Sequence, residues 1–180
     1  DALYNFAVLS YELDINPYND AILAFEKYLA EFPTSKRKED VYQYLVNVYT
    51  STNNYAKALE SLDRVQSKDV KLRRAYQLVS YNYGIELYQK SQYEEAIKVF
   101  DKVDKYPINA QLSAKAKFWS ADASFQLKNY STAINGYRAF LSMTGIPNND
   151  WRGNGYYNLG YAYLTKGDSI LIKASHFMQF

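Results

Sequence analysis

Between Tyr93 and Pro107 the apolar positions Tyr93, Ala96, Phe100 and Val103 fall at steps of three and four. At 3.6 residues per turn these steps place all four on one stripe, so the stretch predicts a helix with a single buried face. The same spelling returns at Tyr18-Ala21-Phe25-Tyr28, at Tyr55-Ala58-Leu62-Val65 and at Tyr130-Ala133-Tyr137-Phe140, with a distorted copy at Ala174 and Met178. The alanines stand 37, 38, 37 and 41 residues apart. Self-similarity at such a period predicts an all-α solenoid of stacked helix-turn-helix units.

Taken in order, a first helix from Ala2 to about Leu13 is broken at Asn16-Pro17, because proline lacks the amide proton a helix interior needs. A second runs from Tyr18 to Phe32-Pro33, and Thr34 to Lys38 makes a polar connector. The third holds Val41, Tyr42, Leu45, Val46 and Tyr49, and the Ser51 to Asn54 cluster turns the chain into a fourth from Tyr55 to about Val65. Lys68, Lys71, Arg73 and Arg74 open a long fifth helix, with these cations on its wet side and Leu72, Ala75, Leu78 and Val79 facing inward. After the turn at Ser91-Gln92 comes the stretch at Tyr93, then a helix from about Ala110 to Leu127 paired with Tyr130 to Met143. Asn148 to Asp150 offers an N-cap before Trp151 and the last first-type helix. There the pattern slips: Gly160 to Ala174 spans 14 residues where Gly84 to Ala96 spans 12. Five repeats are expected, at 2-36, 39-70, 72-108, 110-147 and 149-180, in one domain over 1-180, with the last partial or irregular. Asp1 in place of Met implies an excised piece of a longer chain, with any signal or lipid-attachment cysteine in a missing N-terminus.

Composition narrows the function. An aromatic share of 17% argues against disorder, and a net charge of +2 gives little field to steer nucleic acid to the surface. No apolar run approaches the roughly 20 residues that cross a bilayer, so no direct membrane insertion is expected of this segment. Without cysteine there is neither a disulfide nor a thiolate metal site, and His176 is the sole histidine. No catalytic residue, cofactor or metal site is expected. Asp101 and Asp104, alternating with Lys102 and Lys105, read as an exposed helix face.

These residues resemble the tetratricopeptide repeat family. Leu159-Gly160 with Tyr163 and Tyr83-Gly84 with Leu87 match its first-helix motif. Ala21, Ala58, Ala96 and Ala133 match the second-helix alanine, Phe25, Leu62, Phe100 and Tyr137 the large residue a turn later, and Pro33 and Pro107 the closing proline. Leu9 and Val46 depart from the pattern, standing where the first two repeats should have a small residue. The resemblance implies a right-handed superhelix. Junctions such as Leu29 to Ser35 look more narrowly like bacterial outer-membrane assembly lipoproteins and Tol-Pal-associated repeat proteins. That implies a periplasmic or outer-membrane-associated location, with a cytoplasmic one as the alternative.

In that family the first helix of each repeat lines a concave groove. Counting from the alanines puts there Phe6, Ser10 and Leu13; Gln43, Asn47 and Thr50; Tyr81, Ile85 and Tyr88; Phe118, Asp122 and Phe125; Tyr157, Tyr161 and Leu164. Such a groove is aromatic and nearly neutral, suited to a peptide or a partner helix; the structural alternative is that several of these residues pack against neighbouring repeats. The clamp that some members close on a chaperone's C-terminal carboxylate needs Lys, Arg and Asn, and only Asn47 is suitable here. The expected function is a non-enzymatic scaffold binding another protein. Two alternatives stand beside it: a carbohydrate-binding module of a nutrient-uptake lipoprotein, with Trp119 and Trp151 as its stacking rings, and a segment of a larger sensor or enzyme.

Overall fold

A computed structural model describes residues 2–12 and 19–167. Among these every regular element is helical: α1 (Ala2–Glu12), α2 (Asn19–Glu31), α3 (Lys38–Ser51), α4 (Tyr55–Arg64), α5 (Val70–Gln89), α6 (Tyr93–Lys102) with a 3-10 turn at Val103–Lys105, α7 (Ala110–Gln126), α8 (Tyr130–Leu141) and α9 (Asn149–Lys166). The helices follow the predicted spans within a few residues, and the all-helical class is the expected one among the described residues. The break at Asn16-Pro17, His176 and the distorted copy at Ala174 and Met178 lie outside the described residues. The chain divides into two compact units, Asp1–Leu72 and Arg73–Phe180, described separately below.

In the first unit Ala7, Ala21, Phe25, Val41, Val48, Ala58 and Leu62 are wholly buried, and Phe25 stacks on Tyr44 with ring centres 5.1 Å apart. The small site of the first repeat is Ala7, not Leu9, which is 54% exposed. Ala7 to Ala21 spans 14 residues, so the extra two residues seen at Gly160 to Ala174 also occur in the first repeat. Shifted by two, the positions of Phe6 and Ser10 on α1 pass to Tyr4 and Val8, followed a turn later by Tyr11, while Leu13 lies outside the described residues. Tyr11 meets Tyr44 of α3 at 5.2 Å, just as Tyr88 of α5 meets Trp119 of α7 at 5.0 Å in the second unit. Val46 does occupy a buried small site.

The second unit keeps Ala96, Phe100, Val103, Ala121, Ala133, Tyr137 and Phe140 in its core. Glycine at 84 has a steric cause: a Cβ there would lie 2.5 Å from the Phe100 ring. Two sequence expectations change on α5. Lys68 precedes the helix and is buried, its ammonium donating to the Val65 carbonyl, while Lys71, Arg73 and Arg74 are exposed. Leu78 is 43% exposed, and Tyr76, Gln77 and Ser80 are buried around Val79 instead.

Successive turns repeat one backbone device. Asn53, Ser91, Lys128 and Gly167 all have positive φ, at 55°, 59°, 62° and 87°. After the first three, the next amide reaches back five residues: Asn54 to the Tyr49 carbonyl, Gln92 to Leu87 and Asn129 to Ser124. This left-handed C-terminal cap reverses the chain into the following helix.

Candidate partner-binding face

Spacing on α5, α7 and α9 brings the predicted positions of the second unit onto corresponding helix faces, but the structure treats them differently. Tyr81, Ile85 and Tyr88 are half-buried. Tyr81 lies against Phe100 at 6.4 Å; burial raises its hydroxyl pKa, and a hydrogen bond with Trp119 opposes the shift. Phe118 is not a surface residue. At 6% exposure it sits in the core, with its ring edge to Tyr137, Phe140, Trp119 and Trp151 at 5.3 to 5.8 Å. A large ring facing a helix on each side is removed from water more completely than a groove position would allow.

Asp122 is a junction of four side chains. Its carboxylate accepts from the Tyr88 hydroxyl of α5, from the Tyr137 hydroxyl of α8 at 2.8 Å, from Asn158 of α9 at 3.2 Å and, more weakly, from Gln126 on its own helix at 3.4 Å. Asn158 also reaches the Tyr137 hydroxyl at 3.4 Å. Burial, then the hydrogen bond to Asp122 and its charge, pushes the Tyr88 hydroxyl pKa up; burial and the same charge raise that of Tyr137. A carboxylate so engaged ties helices together and has little capacity left for a ligand.

Beyond Asp122 the face opens. Phe125 packs on Tyr130 and, at 5.5 Å, on Tyr161. Tyr157 and Tyr161 are 68% and 51% exposed, with rings parallel within 1° and 6.5 Å apart, and Leu164 beside them is 59% exposed. In the first unit Gln43 and Asn47 of α3 are exposed, whereas the Thr50 hydroxyl is spent on the Val46 carbonyl. A cleft of about 360 Å³ between α2, α3 and α4 is already paired internally: Tyr49 donates to Glu26 at 2.6 Å, and Glu60 meets Arg64 at 2.9 Å and Lys57 at 3.7 Å.

Residues 1–35 match a family model described as "Tetratricopeptide repeat". Among curated proteins no sequence match was found. Two solved structures are similar to the repeat chain at a TM-score of 0.48: "MamA RS-1 ArsTM double mutant", 16% identical over 98% of this chain and 89% of that one, and "MamA MSR-1 C2", 17% identical over 96% and 90%.

Two features of the repeats escaped sequence reading. Gln77, buried at 1% exposure, pairs with both backbone groups of Asn109: its Nε2 donates to the carbonyl at 3.0 Å and its Oε1 accepts the amide at 2.8 Å. The signal was a glutamine on a helix face that otherwise reads apolar. Beside it a cavity of about 620 Å³ lies at the start of α7, flanked by Leu78 and Ile108. Spacing places Leu78 in the core because it does not tell a core stripe from a groove one turn away. Among the described residues no group of three or more His, Asp or Glu is placed to hold a metal ion, and no helix is long and apolar enough to cross a membrane.

Proposed function

We propose that this chain is a non-enzymatic protein-protein interaction scaffold that captures a peptide or helix of a partner on the first-helix faces of its repeats. The observation that carries it is the ladder Phe125, Tyr161 and Tyr157 with Leu164, where a repeat fold leaves large, stiff side chains in water beside one another. Such rings supply area at low entropic cost and serve as interface anchors. Within this reading Tyr81, Ile85 and Tyr88 form the closed part of the face in the second unit and Phe118 and Asp122 support it from beneath, while in the first unit Gln43 and Asn47 offer polar contacts on α3. A location in the bacterial cell envelope belongs to the proposal, supported by the Leu29 to Ser35 junction.

The test is affinity capture by the full chain and by Tyr157→Ala and Tyr161→Ala variants with unchanged melting. Loss of the captured protein is expected. Retention of that protein together with loss of glycan-array binding would replace the scaffold by the carbohydrate-binding reading. Trp119 and Trp151 suit a sugar poorly: both are half-buried, in edge contact with each other at 6.4 Å, and Lys115 lies over the Trp151 ring at 5.5 Å.

A further inference from the structure

The opposite end of the same face has a different chemistry. One and two turns before Tyr81, Leu78 and Arg74 of α5 look across the 620 Å³ cavity to Ile108, Gln111 and Leu112 at the start of α7. Leu78 and Ile108 are 43% and 41% exposed, two large aliphatic side chains that the core does not use. The amide of Gln77 is consumed by Asn109, and the Asn109 side chain caps α7 by accepting from Gln111 and Leu112. The polar groups left for a ligand are therefore the Arg74 guanidinium and the Gln111 amide. Arg74 is exposed and makes no ion pair with any described residue. No acidic residue lines the cavity, and Lys71 and Arg73 stand exposed on the same turn as Arg74.

We propose that this cavity receives an aliphatic side chain from a peptide segment of the partner, and that a glutamate or aspartate next to that side chain pairs with Arg74. The inference rests on the scaffold reading and specifies the partner's chemistry at one end of the face. Aliphatic burial supplies affinity, and the guanidinium, a fixed fork of donors, selects a carboxylate over an amide. Because the recognised group is a side-chain carboxylate, blocked peptide ends do not matter.

The probe is a fluorescein-labelled peptide, Gly-Glu-Ile-Glu-Leu-Glu-Gly, blocked at both ends and titrated against the full chain by anisotropy. Replacing its glutamates by glutamine is expected to weaken binding at least roughly fivefold, as is Arg74→Gln, and the two losses should not add, because they remove the same pair. Leu78→Ser should weaken binding by a similar factor with unchanged melting, and Tyr161→Ala should stay within about twofold, since its contacts lie at the other end. Equal affinity for the glutamate and glutamine peptides, an Arg74→Gln variant that binds normally, or no binding up to millimolar peptide would each overturn the inference. The scaffold reading is separable: it stands if the Tyr157→Ala and Tyr161→Ala variants still release the captured protein.

Discussion

At the scale of single residues, sterics decide more than residue type. Gly84 and Gly153 both lie inside helices, where glycine costs about 1 kcal/mol relative to alanine. A Cβ at 84 would drive into the Phe100 ring, itself only 2% exposed, while a Cβ at 153 would meet nothing within 4 Å. Gly84→Ala should therefore destabilise the fold by about 1–3 kcal/mol, the overpacking penalty exceeding the gain in propensity. Gly153→Ala should stabilise it by about 0.5–1 kcal/mol. Urea midpoints of the two variants test both signs; stabilisation by Gly84→Ala would show that Phe100 has room to move.

At the scale of helices and turns, two devices hold helices together. The left-handed residue that ends α3, α5 and α7 costs a non-glycine side chain about 1–2 kcal/mol. Lys128→Gly, at φ 62°, should recover about 1 kcal/mol of this, seen as a raised denaturation midpoint with unchanged helical circular dichroism. The second device is Asp122, on which α5, α7, α8 and α9 converge. Asp122→Ala would leave two tyrosine hydroxyls and an amide without their acceptor, at a cost of about 2–4 kcal/mol. Tyr88→Phe and Asn158→Ala, on helices either side of α7, should show a coupling energy of about 0.5 kcal/mol or more that vanishes in the Asp122→Ala background. Strictly additive effects would mean that the carboxylate does not link the two contacts.

Across the whole molecule, 20 tyrosines make alkaline pH the informative variable. An unfolded tyrosine ionises near 10, and the raised Tyr137, Tyr88 and Tyr49 hydroxyls keep their protons above that pH in the folded chain. The stability they contribute is thus fully present below pH 10 and is lost as pH rises beyond it, because the unfolded state alone releases the proton. Each such tyrosine steepens the decline by up to about 1.4 kcal/mol per pH unit. Urea unfolding at pH 8, 10 and 11 should show the fall, and Tyr137→Phe, less stable at neutral pH, should show a shallower one. Equal slopes would mean that Tyr137 ionises in the folded state as readily as in the unfolded one.

The periodic alanines and aromatics determined the helices, their pairing and the register of most repeats, because a buried face must recur every 3.6 residues whatever surrounds it. The sequence also placed the helix ends, through the turn clusters and the Asn148 cap on Trp151. What it left undetermined were positions whose role depends on a neighbouring helix. Phe118 and Tyr157 occupy equivalent steps of their helices, yet one is enclosed by α8 and α9 and the other faces water. Asp122 read as a groove carboxylate until three helices brought donors to it, and Ala7 displaced Leu9 because a connection two residues longer shifts the register of α1. Periodicity reports which residues share a face of one helix. Only the packed structure decides what that face meets, since the contact is made with residues tens of positions away in the chain.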